Sequence, residues 1–112
     1  MKKKDIKNVI KVTENLGWKV TIEGNEFEFQ KYSPAGQDFM QTFTADSLEE
    51  LSEQLQERYN NFDCSEETYL WLDNTGHGTN GAPYDMKDLY EDMEACEEML
   101  RELACKLQEI SL

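Results

Sequence analysis

Apolar residues recur along the last quarter of the chain at alternating spacings of three and four: Met86, Leu89, Met93, Cys96, Leu100, Leu103, Leu107 and Ile110. This is the a/d stripe of a helix that buries one narrow face. It predicts a helix over 85–110, preceded by Pro83 and capped by Asp85. At 1.5 Å per residue the helix would run about 39 Å, longer than the roughly 30 Å of a small domain. It is either the spine of the body or an overhang that meets a second chain.

Helical spacing also links Ile6, Val9, Ile10, Thr13 and Leu16. It predicts a helix over 5–16 with Asp5 as cap, Gly17 as stop and a frayed Lys-rich start. The period then falls to two. Trp18, Val20 and Ile22 alternate with Lys19, Thr21 and Glu23, and Phe27 and Phe29 alternate with Glu26, Glu28 and Gln30. Gly24-Asn25, glycine first, suits a type II′ turn that pairs Ile22 with Phe27 and Val20 with Phe29.

Tyr32 to Gln37 reads as a loop, and Asp38 to Thr44 as a third strand whose apolar face is interrupted by Gln41. Ser47 followed three residues later by Glu50 is a capping box. Leu48, Leu51, Leu55, Tyr59 and Phe62 continue it as a helix to about Asn60. Residues 65–73 admit a short strand or a helix. Ser65 before Glu66 and Glu67 favours a helix start, with Tyr69, Leu70 and Leu72 inward. A glycine-rich loop from Asp73 to Tyr84 leads into the last helix.

The expected fold is one α+β domain over residues 1–112: a three-stranded antiparallel meander covered on one face by helices, with a long C-terminal helix. Its expected core holds Trp18, Val20, Ile22, Phe27, Phe29, Phe39, Phe43, Leu51, Leu55, Leu100 and Leu103.

Charge constrains the function more than composition does. The chain carries 24 acidic and 11 basic residues, a net of −13, divided unevenly. Residues 1–45 have a net charge of +1 and residues 46–112 a net of −14. Such asymmetry points to one acidic face, or to a merely solvated one. Direct binding to DNA or RNA is disfavoured, because only Lys2, Lys3, Lys4, Lys7 and Lys11 cluster. Three cysteines without a CxxC, no apolar run of signal-peptide length after Met1-Lys2-Lys3-Lys4, and no stretch of membrane-span length lead to the expectation of a cytoplasmic protein with free thiols. Cys96 is expected to be buried and Cys105 exposed.

Candidate chemistry is thin. Gly76-His77-Gly78-Thr79-Asn80-Gly81 spells GxGxxG, but no βαβ unit surrounds it, and Asp73, Asp85 and Asp88 would repel phosphate. A calcium loop starting at Asp73 would need Glu where Tyr84 stands. One His and three dispersed Cys make a poor zinc set. Cys64 and His77 could form a nucleophile and base, though no third orienting group is evident. Carboxylate pairs such as Asp88/Asp92, Glu94/Glu98 and Glu98/Glu102 fall outside the seam and are expected to be solvated, partly offset by Glu97–Arg101 and Glu102–Lys106. No cofactor is implied.

Tyr32-Ser33-Pro34-Ala35-Gly36-Gln37-Asp38-Phe39 resembles a YSPAG(Q/E)DF stretch of small acidic proteins of uncharacterised function from gut bacteria and their mobile elements. Gly76 to Tyr84, followed by an acidic helix, looks like the C-terminal part of the same group. With Trp71, the likeness spans about residues 18–107. It implies a shared fold and carries over no functional residues. In charge and setting the last helix is similar to antirestriction proteins that imitate DNA.

Three functions are thus in competition. The first is a non-enzymatic binding protein whose acidic face occupies a basic protein surface, a nucleic-acid-binding protein being one candidate. Its expected contacts are Glu49, Glu53, Glu57, Glu91, Glu94, Glu98 and Glu102. The second is a module that forms a homodimer through the C-terminal helix. The third is a small enzyme using the glycine loop, His77 and Cys64.

Overall fold

The computed structural model describes residues 1–75 and 86–112, with side chains for 1–70 and 86–112. Its elements are α1 (Lys3–Asn15), β1 (Lys19–Glu23), β2 (Glu26–Tyr32), β3 (Asp38–Thr44), α2 (Leu48–Asn60), α3 (Cys64–Thr75) and α4 (Met86–Ser111). The three strands form one antiparallel meander in the order β1-β2-β3, so the fold is α+β with a long C-terminal helix. The glycine run with His77, together with Pro83, Tyr84 and Asp85, lies outside the described residues, as do the side chains of Trp71, Leu72 and Asp73.

Pairing across the first hairpin sets Val20 opposite Phe29 and Ile22 opposite Phe27, as the glycine-first turn predicts. Gly24 supplies the positive φ, +60°, that this turn demands. Phe27, Phe29, Phe39 and Phe43 share the buried face, with Phe29 edge-on to Phe43 at 6.0 Å. Val20 and Ile22 are only half-buried, contrary to the expected core, because β1 is an edge strand. Lys31 occupies the inward side of β2 beyond the phenylalanines. Its Nζ donates to the Leu16 carbonyl at 2.8 Å, capping the C-terminal end of α1. Its stem runs beside Gly17, where a Cβ would sit in ordinary contact 3.5 Å from Lys31 Cε. The N-terminal end of α1 differs from expectation. The helix begins at Lys3, before the expected start, its N-cap is Lys2 without a side-chain bond, and Asp5 lies inside the first turn.

The interruption of β3 by Gln41 has a structural answer. Gln41 Oε1 accepts from Arg58 Nε at 2.9 Å, and Arg58 Nη2 donates to Glu67 Oε1 at 2.8 Å. The guanidinium also lies 5.0 Å from the Phe62 ring centroid. One arginine thereby ties β3, α2 and α3 together. Ser47 caps α2 by accepting the Glu50 amide at 3.1 Å, while the Glu50 carboxylate accepts from the Asp46 amide instead of closing the box on Ser47.

Residues 64–75 are helical, but the inward face is not the expected one. Tyr69 is 62% and Leu70 45% exposed, whereas Cys64 and Thr68 are buried. The start also lies earlier than Ser65: Asp63 Oδ1 accepts from the Ser65 and Glu66 amides and begins the helix at Cys64. Thr68 is buried without cost in unmet polarity because its Oγ1 donates to the Cys64 carbonyl at 2.6 Å.

α4 is the spine. It packs against α1, α2 and α3, and its length of about 39 Å nearly matches the 44 Å long axis of the molecule. Leu89, Met93, Cys96, Leu100, Leu103 and Leu107 are each at most 1% exposed within a single chain. The seam is therefore closed by the chain's own elements. Met86, at 42% exposure, falls outside it, and Ile110 is half-buried. Met99 and Ala104 are buried as well, since a helix contacted by three others buries more than an a/d stripe.

Leu100 sits at 0% exposure in the middle of this core. Leu100→Ala is expected to lower unfolding free energy by roughly 2–5 kcal/mol, measured by urea denaturation. A loss below about half a kcal/mol would contradict the buried seam.

Candidate partner-binding face

Six of the seven glutamates expected to contact a partner are exposed: Glu49, Glu53, Glu57, Glu91, Glu94 and Glu98. Glu102 is half-buried, a departure from expectation. Glu49, Glu53 and Glu57 follow one another at every fourth position of α2, so they share a face. They line a groove of about 610 Å³ that also includes Gln56, Gln108 and Ser111. Glu91 and Glu94 line a separate groove between α3 and α4. The acidic surface is thus an extended one along α4 and α2, not one compact cluster.

Pairing within the surface differs from the expected pattern. Arg101 grips Glu98, not Glu97, with Nε 2.9 Å from Oε2. This hydrogen bond, with the guanidinium charge, holds the Glu98 carboxyl below its usual range. Lys106 reaches forward to Glu109 at 3.2 Å, not back to Glu102. Spacings of three and four both bring side chains together on a helix. Glu97 is half-buried beside the Cys64 thiol, which leaves Glu98 as the partner for Arg101. Glu91 is 3.8 Å from Lys87 in an exposed pair. Among the described residues Glu49, Glu53, Glu57 and Glu94 are in no ion pair.

Asp92 overturns the expectation that the acids of α4 outside the a/d seam are solvated. It is 5% exposed. Its Oδ2 accepts from Ser33 Oγ at 2.5 Å and Gln37 Nε2 at 2.7 Å, and its Oδ1 from the Ala35 amide at 3.0 Å. Ser33 Oγ accepts in turn from the Gln37 amide at 2.9 Å. The donors all come from the loop between β2 and β3. Sequence reasoning missed this site, although a signal was present. Asp92 lies three residues after Leu89 and four before Cys96, so a stripe slightly wider than a/d includes it.

The candidate nucleophile fares differently. Cys64 is buried, and its thiol pKa is pushed up to about 11 by burial and by Glu97 and Glu94 beside it. A nucleophilic cysteine needs the opposite shift. His77, its proposed base, lies outside the described residues. Cys96 is raised to about 12 by burial and by Asp92. Cys105, expected to be exposed, is half-buried. Among the described residues no group of three His, Cys, Asp or Glu side chains is placed to hold a metal, and no helix is long and apolar enough to cross a membrane.

Compared with protein-family models, curated proteins and solved structures, the chain matches none.

The thiols allow a direct test. At pH 8 Cys105 is expected to react first with a small thiol reagent, and Cys64 and Cys96 only on unfolding. Both buried thiols hold their protons more tightly in the folded than in the unfolded state. The stability they confer is therefore intact below about pH 9 and is lost as pH rises towards 11 and 12. The urea midpoint is expected to fall across that window, and less so in Cys96→Ala. Native labelling of Cys96 as fast as Cys105 would contradict the burial.

Proposed function

We propose that this chain is a small acidic binding protein without a catalytic role, whose face along α2 and α4 occupies a basic surface on a partner protein. A nucleic-acid-binding protein is the partner class that best fits such a surface, because its own site is built for a dense line of negative charge. The observation that carries this reading is the exposed face of α2. It presents Glu49, Glu53 and Glu57 in file with no ion pair among the described residues, while the basic residue of that helix, Arg58, is turned towards Gln41 and Glu67. Those glutamates repel one another on the free protein, and a basic partner would relieve that repulsion. Unpaired cysteines favour a reducing compartment, the cytoplasm. The likeness of the YSPAGQDF stretch to proteins of mobile elements supports an inhibitory role against a host defence system.

Single exposed ion pairs contribute only about 0–1 kcal/mol each. No one substitution is therefore expected to abolish binding, whereas Glu49→Lys, Glu53→Lys, Glu57→Lys and Glu94→Lys together should. The fold should survive, because these side chains are exposed. The test is capture of partners from host lysate by wild type and by the fourfold variant at two salt concentrations. Capture should weaken in the variant and at high salt, since screening acts over about 10 Å at 0.1 M. Capture indifferent to both would leave the acidic face as a solvated surface only.

A further inference from the structure

The surface of the described residues is not uniformly acidic. Tyr69 (62%), Leu70 (45%), Met86 (42%) and Tyr90 (39%) are exposed, and all four lie on α3 or on the first turns of α4. They make up half of the eight large apolar side chains that stand open to solvent among the described residues. Three of them, Tyr69, Met86 and Tyr90, share one groove and so form a patch of the kind that marks an interaction site, unlike singly scattered ones. Tyr69, Met86 and Tyr90 line a groove of about 480 Å³ between the two helices, with Lys87, Glu91 and Glu94 on its α4 side and Ser65 and Thr68 on its α3 side. From Met86 to Glu94 the groove follows α4 for about 12 Å, roughly two helical turns.

We infer that the α3–α4 groove docks an amphipathic basic segment of a partner protein, its apolar side chains against Tyr69, Met86 and Tyr90 and its Lys or Arg side chains against Glu91 and Glu94. This rests on the acidic-face reading and narrows it to one place. Charge complementarity selects the occupant. A second copy of the chain would bring another −13 to the same site, and the resulting repulsion opposes self-docking. A segment with lysines or arginines on its flank meets Glu94, which has no ion pair among the described residues, and can displace the exposed Lys87 from Glu91. The two tyrosines add what charge alone lacks: broad, rigid apolar contact and ring faces that attract cations. Such residues anchor interfaces, and acidic neighbours set the approach and orientation.

The test uses the full chain and a defined probe. Random 16-residue peptides displayed on phage are selected on wild type, and the enriched peptides are synthesised and titrated. Enriched sequences should carry apolar residues at helical spacing with Lys or Arg flanking them. Tyr90→Ser should weaken their binding about tenfold or more, as for an interface anchor. Glu94→Lys, an exposed change that leaves the apolar floor in place, should weaken it too. The triple reversal of Glu49, Glu53 and Glu57 in the other groove should change it less than about threefold. Circular dichroism checks that each variant is folded. Basic peptides without apolar spacing that bind Tyr90→Ser as well as wild type would overturn the groove while the acidic face stands. Apolar peptides without Lys or Arg would overturn the proposed occupant, as would failure to enrich any pattern. So would self-association in sedimentation that Tyr90→Ser abolishes.

Discussion

A buried carboxylate holds the sheet to the spine. Asp92 sits in the first half of α4, and its oxygens take donors from Ser33, Ala35 and Gln37, the loop that turns β2 into β3. An ion removed from water costs several kcal/mol unless such donors replace the solvent. Here three do, two of them side chains and one an amide. The arrangement is also directional. Gln37 must turn its Nε2 towards the carboxylate, since the opposite orientation would set oxygen against oxygen. That choice leaves Gln37 Oε1 buried without a partner among the described atoms. The contact thus ties the loop between β2 and β3 to α4 in one register, which apolar burial alone would leave freer to slide.

The position of Asp92 divides the acids of α4 into two kinds. One is turned inward and satisfied, and it belongs to the architecture. Others face solvent: Glu91 and Glu94 within one turn of Asp92, and Glu98 less than two turns away. Like charges at helical spacing weaken a helix by a few tenths of a kcal/mol per pair. α4 tolerates this because its opposite face is locked by Leu89, Met93, Cys96, Leu100, Leu103 and Leu107. The same closed face removes the basis for pairing two chains through the seam. Among the described residues the exposed acids without an ion pair include Glu49, Glu53 and Glu57 on α2 and Glu94 on α4, with Tyr69 and Tyr90 in the α3–α4 groove.

The sheet was the most legible part of the chain, since its register follows from period-two alternation and a glycine-first turn, both local signals. The length of α4 and its buried stripe were equally plain, because a seam repeated over many turns averages out local ambiguity. The facing of α3 was not legible. Tyr69, Leu70 and Leu72 crowd together in sequence without a 3.6-residue phase, so the inward face was chosen elsewhere, by the cap at Asp63 and the buried pair Cys64 and Thr68. The roles of Lys31 and Arg58 were not legible either, since each donates to an acceptor brought near only by the fold. The inward place of Asp92 could be read from its offset to the apolar stripe, but its partners could not: Ser33 is 59 positions away along the chain. Of the candidate face, the exposure of the glutamates was readable from their offset to the apolar stripes. Their division between two grooves depends on how α2, α3 and α4 pack.

Asp92 is an internal fastener and not one more surface acid. A double-mutant cycle between Ser33→Ala and Asp92→Asn, read by urea denaturation, measures that directly. A pair in hydrogen-bond contact should show a coupling of about 0.5–3 kcal/mol, and a bond to a buried charge should fall in the upper part of that range, about 1.5–3 kcal/mol. Two losses that simply add, within about 0.3–0.5 kcal/mol, would mean that the hydroxyl and the carboxylate do not meet, and the fastening of the sheet to α4 would be wrong.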